Sequence, residues 1–234
     1  MELFYDSYEP IAGSAHWNLE GENPNPAFWP KTVDVYVLLD VPYVESHIPK
    51  HLLVTWARPF TVPDNGEFTC HSCGVLLGAS VFAKNAHGWV VEVATLDLGE
   101  YGTFGQPPTV TLQPVGAQHY GLRIRKEFAS TGAVERSLAL FLPIRGAFVK
   151  AFSSAIEENE DPKYDPESNA ASSSVYDGDI DMQPNPHSDY YDILLTKRTY
   201  NPKAPKAPAQ VVVTRFRFNG EKYVSGDPTV TLDR

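Results

Sequence analysis

The strongest constraint on this chain is an alternation of apolar and polar residues at period two, broken at short intervals by turn residues. Extended chain points successive side chains to opposite sides, so this pattern describes strands buried on one face. Residues 75–83 and 89–95 flank Lys84-Asn85-Ala86-His87-Gly88. Residues 109–115 and 120–128 flank Gly116-Ala117-Gln118, and residues 137–142 and 147–153 flank Pro143-Ile144-Arg145-Gly146. Each interruption contains the Gly or Pro that favours a reversal. Residues 190–197 and 210–218 form another pair, joined by a connector whose Pro202, Pro205 and Pro208 favour stiff, extended chain. The pattern predicts a mainly β fold: an antiparallel meander of about ten strands forming a curved sheet, sandwich or open barrel, with few short helices.

The clearest hairpin centres on Asn219-Gly220, a pair suited to a type I′ turn because both central residues need positive φ. A two-residue loop there puts Phe216, Phe218 and Tyr223 on one face. Arg215, Arg217 and Lys222 then share the other, with Arg217 opposite Lys222. Like charges facing each other are unfavourable, so this face is expected to meet water or an anionic surface. Tyr120, Leu122 and Ile124 repeat the arrangement, with Arg123 and Arg125 on the reverse side. These five basic residues, Arg123, Arg125, Arg215, Arg217 and Lys222, are the candidate binding faces.

Residues 1–32 read as an extended segment packed by aromatics, and residues 33–234 as a single β domain. Residues 33–40 predict a strand. Residues 44–53 predict the start of a short helix, provided that Pro49 falls in its first turn. The net charge is −10, and residues 157–192 hold eleven acids and one base, Lys163, so the remaining residues balance. That stretch is also rich in Ser, Asn and Pro. It is expected to form one long acidic loop over residues 153–189, since it has too little apolar surface to offset its ordering entropy. Within it, Asp177, Asp179 and Asp181 alternate like the first ligands of a calcium loop. Met182 stands where an EF-hand needs glycine and Ser188 where it needs glutamate, so only a looser calcium site is open.

The only two cysteines, Cys70 and Cys73, are separated by His71-Ser72. Three chemistries are open. A disulfide requires a tight turn, because Cα atoms must come within about 4.4–6.8 Å. A redox couple expects a helix opening at the motif, whereas the following residues 74–82 read as a strand. Zinc has four candidate ligands in His47, His51, Cys70 and Cys73, although Pro49 interrupts the helical turn that would align the histidines. A turn-locking disulfide agrees best with the strand that follows.

Other function classes lack their signatures. The chain has no Gly-x-Ser-x-Gly elbow, no His-Glu-x-x-His and no phosphate-binding Gly-x-x-x-x-Gly-Lys. Nucleic acid is not expected as a partner, in the absence of a net basic field or a reader motif. No stretch approaches the roughly 20 apolar residues of a membrane-spanning helix, and residues 1–6 lack the basic start and apolar core of a signal peptide. Calcium and zinc are the only cofactors that the residues suggest.

Phe68-Thr69-Cys70-His71-Ser72-Cys73-Gly74-Val75-Leu76-Leu77-Gly78-Ala79-Ser80-Val81-Phe82, followed by Gly88-Trp89, resembles a region of uncharacterised exported bacterial proteins. Tyr190-Tyr191-Asp192-Ile193-Leu194-Leu195 and Phe216-Arg217-Phe218-Asn219-Gly220-Glu221-Lys222-Tyr223-Val224 resemble hairpins of bacterial periplasmic and lipoprotein-like chains. The resemblance implies an envelope setting, periplasmic or secreted, and no particular activity. The sequence therefore points to a non-catalytic binding, inhibitor or immunity-type protein whose partner is another protein or an anionic envelope component. The alternative is an envelope enzyme with metal- or thiol-dependent chemistry at Cys70 and Cys73.

Overall fold

The structure is a computed structural model and describes residues 4, 7–9, 13–18, 32–58, 73–130, 133–160, 175–200, 207–226 and 229–232. The described residues form sixteen strands in two antiparallel sheets, one of them strongly curled into a half-barrel. Eleven strands have eight residues or more, which is the meander anticipated from the alternation.

The first sheet contains β1 (Ser7–Glu9), β2 (Ser14–Asn18), β3 (Thr32–Glu45), β4 (Ile48–Ala57), β5 (Val75–Asn85), β6 (Gly88–Thr95) and β7 (Glu100–Tyr101). β1 to β6 follow one another in chain order, and β7 pairs with β5. The second sheet contains β8 (Thr109–Gly116), β9 (His119–Ser130), β10 (Ala133–Ile144), β11 (Ala147–Glu160), β12 (Val175–Gln183), β13 (Asp192–Tyr200), β14 (Gln210–Phe218), β15 (Tyr223–Ser225) and β16 (Thr229–Leu232). Its order also follows the chain from β8 to β15, with β16 beside β14.

No helix occurs among the described residues, so none is long and apolar enough to cross a membrane. The helix expected over residues 44–53 is instead a hairpin. Ser46 and His47 hold positive φ, +50° and +66°, as a type I′ turn demands, and Pro49 lies in β4 opposite Val44. Arg145 and Gly146 make the same turn between β10 and β11 at φ +52° and +82°. The strand expected at residues 33–40 runs on through β3 to Glu45, with a bulge between Val37 and Leu39.

Among its described residues, the span expected as one acidic loop is mostly strand. β11 continues to Glu160 and β12 occupies Val175–Gln183, while residues 161–174 lie outside the described residues. Pairing to neighbouring strands satisfies the backbone there, so an acidic sequence with little apolar surface still adopts ordered β structure.

The chain packs as two compact units. Unit 1 is Met1–Val110 with Pro143–Phe148, and unit 2 is Thr111–Leu142 with Val149–Arg234. The single domain expected from residue 33 contains parts of both. In unit 1, β5 is buried without interruption from Val75 to Val81, and Val33, Val35, Leu52 and Val54 are buried with it. Unit 2 buries Leu122, Ile124, Leu138, Leu140, Leu142 and Ile193.

The division also resolves the charge. Unit 1 holds thirteen acids and five bases, a net −8. Unit 2 outside residues 157–192 holds five acids and thirteen bases, a net +8. The balance seen outside the acidic stretch is thus the sum of an acidic unit and a basic remainder.

Candidate functional site

β13, β14 and β15 build the most distinctive polar feature of unit 2. Ile193 pairs with Phe216 and Leu194 with Arg215, so period two fixes the composition of the two faces. One face is aromatic. Phe152 meets Phe216 at 5.0 Å and Tyr223 at 6.4 Å, Phe218 meets Tyr223 at 5.4 Å, and Tyr190 meets Phe218 at 4.4 Å between centroids. Tyr223 is buried, and its hydroxyl has no hydrogen-bond partner among the described residues. Burial pushes its ionisation upward, and the nearby Tyr190 and Asp192 add to the shift.

The opposite face carries the charge. Leu194, Val213, Arg215, Arg217 and Val224 line a groove of about 640 Å³ together with Ser225 and Gly226. Asp192 anchors it with a side chain only 3% exposed. Its Oδ1 accepts a hydrogen bond from Asn185 Nδ2 at 2.8 Å, and its Oδ2 accepts one from Arg215 at 3.1 Å. Arg217 Nε lies 3.7 Å from the same Oδ2. A buried carboxylate needs such partners, because taking it out of water costs several kcal/mol. The arginines keep their outer surfaces wet, with side chains 46% and 69% exposed. Each guanidinium has five N–H donors, so most remain open to a second anion.

Close backbone approach holds the segment before β13. Gly116 bridges Tyr190, and Tyr191 N donates to Val115 O at 2.8 Å. A Cβ at position 116 would sit 2.2 Å from Asp189 O, so only glycine fits there. Tyr190 also stacks on His119 at 4.6 Å with the rings almost parallel.

The hairpin at Asn219-Gly220 forms, but with a different register. Phe218 pairs with Tyr223 and Arg217 with Val224, giving a four-residue loop from Asn219 to Lys222. Asn219 Oδ1 accepts the N–H groups of Glu221 and Lys222, each at 3.0 Å, which stabilises the longer loop. The shift is two residues, so Tyr223 still joins Phe216 and Phe218. Lys222 leaves the strand face for the exposed loop, and the expected clash with Arg217 does not arise.

Arg123 and Arg125 lie on the expected side of β9, opposite Leu140 and Leu138 and reversed from Leu122 and Ile124. Arg123 Nη1 donates to Gln113 Oε1 at 3.4 Å, and Arg125 is exposed. β9 and β14 are five strand spacings apart in the sheet order, roughly 24 Å measured along the sheet, so the two basic strands are not neighbours in it.

Asp177, Asp179 and Asp181 stand on one face of β12 at roughly 7 Å intervals. Each has its own partner. Asp177 accepts from Tyr200 OH at 3.2 Å and lies 3.9 Å from Arg198, Asp179 accepts from Ile180 N at 2.8 Å, and Asp181 accepts from Gln183 at 3.2 Å. Among the described residues, no three His, Cys, Asp or Glu side chains are grouped to hold a metal ion.

The described members of the zinc set, His47, His51 and Cys73, are also spread out. His47 is in the β3–β4 turn, and His51 pairs with Phe82 across β4 and β5. Cys73 precedes Phe82 by nine residues, on the order of 30 Å of extended chain. His51 Nδ1 instead meets Asp40 at 3.0 Å, and its ring meets Trp89 edge-on at 4.9 Å. Cys70 lies outside the described residues, and with it the geometry of the cysteine pair. The chain beside Cys73 is well tied: Cys73 O accepts from Gly105 N at 2.8 Å, and Gly74 N donates to Glu100 at 2.7 Å.

The sequence reading missed two centres. One is Asp192 with Asn185, whose only signal was an acid at the head of an apolar strand. The other is Lys50 in unit 1, buried among Leu52 and Val54, where it donates to Glu45 and meets Glu92 at 2.7 Å. Burial alone would lower its ionisation, but Glu45 and then Glu92 outweigh that and hold it raised. Glu92 is aimed by a bulge, since Val81 pairs with Val93 and Phe82 with Val91, leaving Glu92 between them. Comparisons with protein-family models, curated proteins and solved structures find no significant match to the chain.

Proposed function

We propose that the chain is a non-catalytic binding protein that engages an anionic partner through the basic face of unit 2. The observation that carries this reading is the pairing of Arg215 and Arg217 over the buried Asp192, beside an open groove with apolar walls. Asp192 neutralises one of the two positive charges and orients both guanidinium groups. The remaining charge and donors face solvent, where complementarity steers association and selects anionic surfaces.

The partner is an acidic protein or an anionic envelope component, and the setting is periplasmic or secreted. That setting rests on the resemblance to exported proteins and on a Cys70–Cys73 disulfide. Comparing intact mass under native and reducing conditions tests the bond, since reduction adds two hydrogens.

The binding test is a titration of the full chain with a labelled oligoglutamate peptide. Saturable binding that weakens with salt and is lost in Arg217→Glu supports the reading. Binding that ignores both salt and Arg217→Glu overturns it. Arg217 is the informative position because its side chain is the more exposed of the two and lies farther from Asp192, at 3.7 Å against 3.1 Å for Arg215.

A further inference from the structure

The outer edge of β6 combines features that sheet edges normally avoid. β6 ends the strand order of its sheet, so its outward N–H and C=O groups meet no further strand among the described residues. Natural edges are blunted with Lys, Pro, a bulge or a covering segment. In β6 those devices act only on the C-terminal half. Glu92 forms the bulge, and Ala94 N donates to Gly146 O at 3.2 Å. Gly88-Trp89-Val90-Val91 is left without them, and Trp89, Val90 and Val91 are 48%, 43% and 41% exposed. The neighbouring β3–β4 hairpin adds Val44 and Ile48, 59% and 41% exposed, at the same end of the sheet.

We propose that this edge pairs antiparallel with the same edge of a second copy of the chain. The stretch is self-complementary. With Val90 on the two-fold axis, Val90 faces its own counterpart and Trp89 of each copy lies opposite Val91 of the other, an aromatic on β-branched pair made twice. The charge pattern agrees. Unit 1 is net −8, so two copies repel over most of its surface, but Gly88 to Val91 bears no formal charge. In this register each Glu92 meets the partner's Gly88, and no two acids are opposed. Gly88 to Val91 offer a basic or acidic peptide no counter-charge of their own, and the ammonium of Lys84, the cross-strand partner of Trp89, is engaged 6.0 Å from the Trp89 ring.

Self-pairing through a neutral seam in an acidic unit strengthens as salt screens the repulsion, the opposite of the salt response expected at the Arg217 face. Sedimentation of the full chain from micromolar to sub-millimolar concentration, at low and high salt, reads this directly. The expected result is a monomer–dimer equilibrium that shifts toward dimer with salt, persists in Arg217→Glu and vanishes in Val90→Lys, which sets two ammonium groups across the axis. Val90→Cys is expected to give a covalent dimer on oxidation, while Ile48→Cys, exposed but off the axis, stays monomeric. A chain that is monomeric throughout, a Val90→Lys variant that dimerises like the parent, or a Val90→Cys variant that does not crosslink overturns the proposal.

Discussion

Lys50 in unit 1 and Asp192 in unit 2 solve the same problem with opposite signs. Each is a buried ion attended by two counter-ions: Glu45 and Glu92 for the lysine, Arg215 and Arg217 for the aspartate. The difference is where the attendants sit. Glu45 is only 12% exposed and sinks with its lysine while Glu92 is 43% exposed, whereas neither Arg215 nor Arg217 is buried, at 46% and 69%. The first arrangement is closed on its Glu45 side and contributes to holding β3, β4 and β6 together. The second presents donors outward, and so is suited to recognition.

The largest expected effect tests the closed centre. Lys50→Met takes the buried ammonium away from Glu45, itself only 12% exposed, and should destabilise the protein by about 3 kcal/mol in chemical denaturation. Asp192→Asn should cost only about 1–2 kcal/mol, because the arginines it releases can turn to water. If the two losses were equal, the distinction between a closed and an open centre would fail.

A smaller effect comes from Tyr223, whose buried hydroxyl lacks a partner among the described residues. Tyr223→Phe should leave stability unchanged or raise it by up to about 1 kcal/mol. Its pH dependence has a definite sign. The folded phenol ionises above its ordinary value of 10.0 and the Lys50 ammonium above 10.5. Both contributions are therefore whole below those values and are lost as pH rises through the higher folded ones. Melting temperature should not vary through these groups up to about pH 10 and then fall, less steeply in Tyr223→Phe. The smallest stability effect belongs to Arg217→Gln, within about 0.5 kcal/mol, because that side chain is mostly in water.

The strands were legible because alternation and turn residues act locally. Gly146 and Asn85-Ala86-His87-Gly88 mark reversals that the hairpins use. The reversal at Ser46-His47 was not legible, since neither residue advertises positive φ and Pro49 two positions on suggested a helix start. At Asn219-Gly220 the hairpin was readable but its register was not, because Asn219 spends its side chain on Glu221 and Lys222 and lengthens the loop by two residues. The acidic stretch misled for a different reason: composition reports apolar burial, whereas β12 is placed by backbone pairing to β11 and β13. Of the candidate face, the arginines were visible as alternating residues. Asp192 and Asn185 were not, because what joins them to Arg215 and Arg217 is contact across strands.

The most direct measurement is a titration of oligoglutamate into the parent chain and into Arg217→Gln and Arg217→Glu at low and physiological salt. The account predicts affinity that falls with salt, is weaker in Arg217→Gln and drops by about tenfold or more in Arg217→Glu, a loss of about 1.4 kcal/mol, with the fold intact. Equal affinity in all three proteins at both salt levels would contradict it.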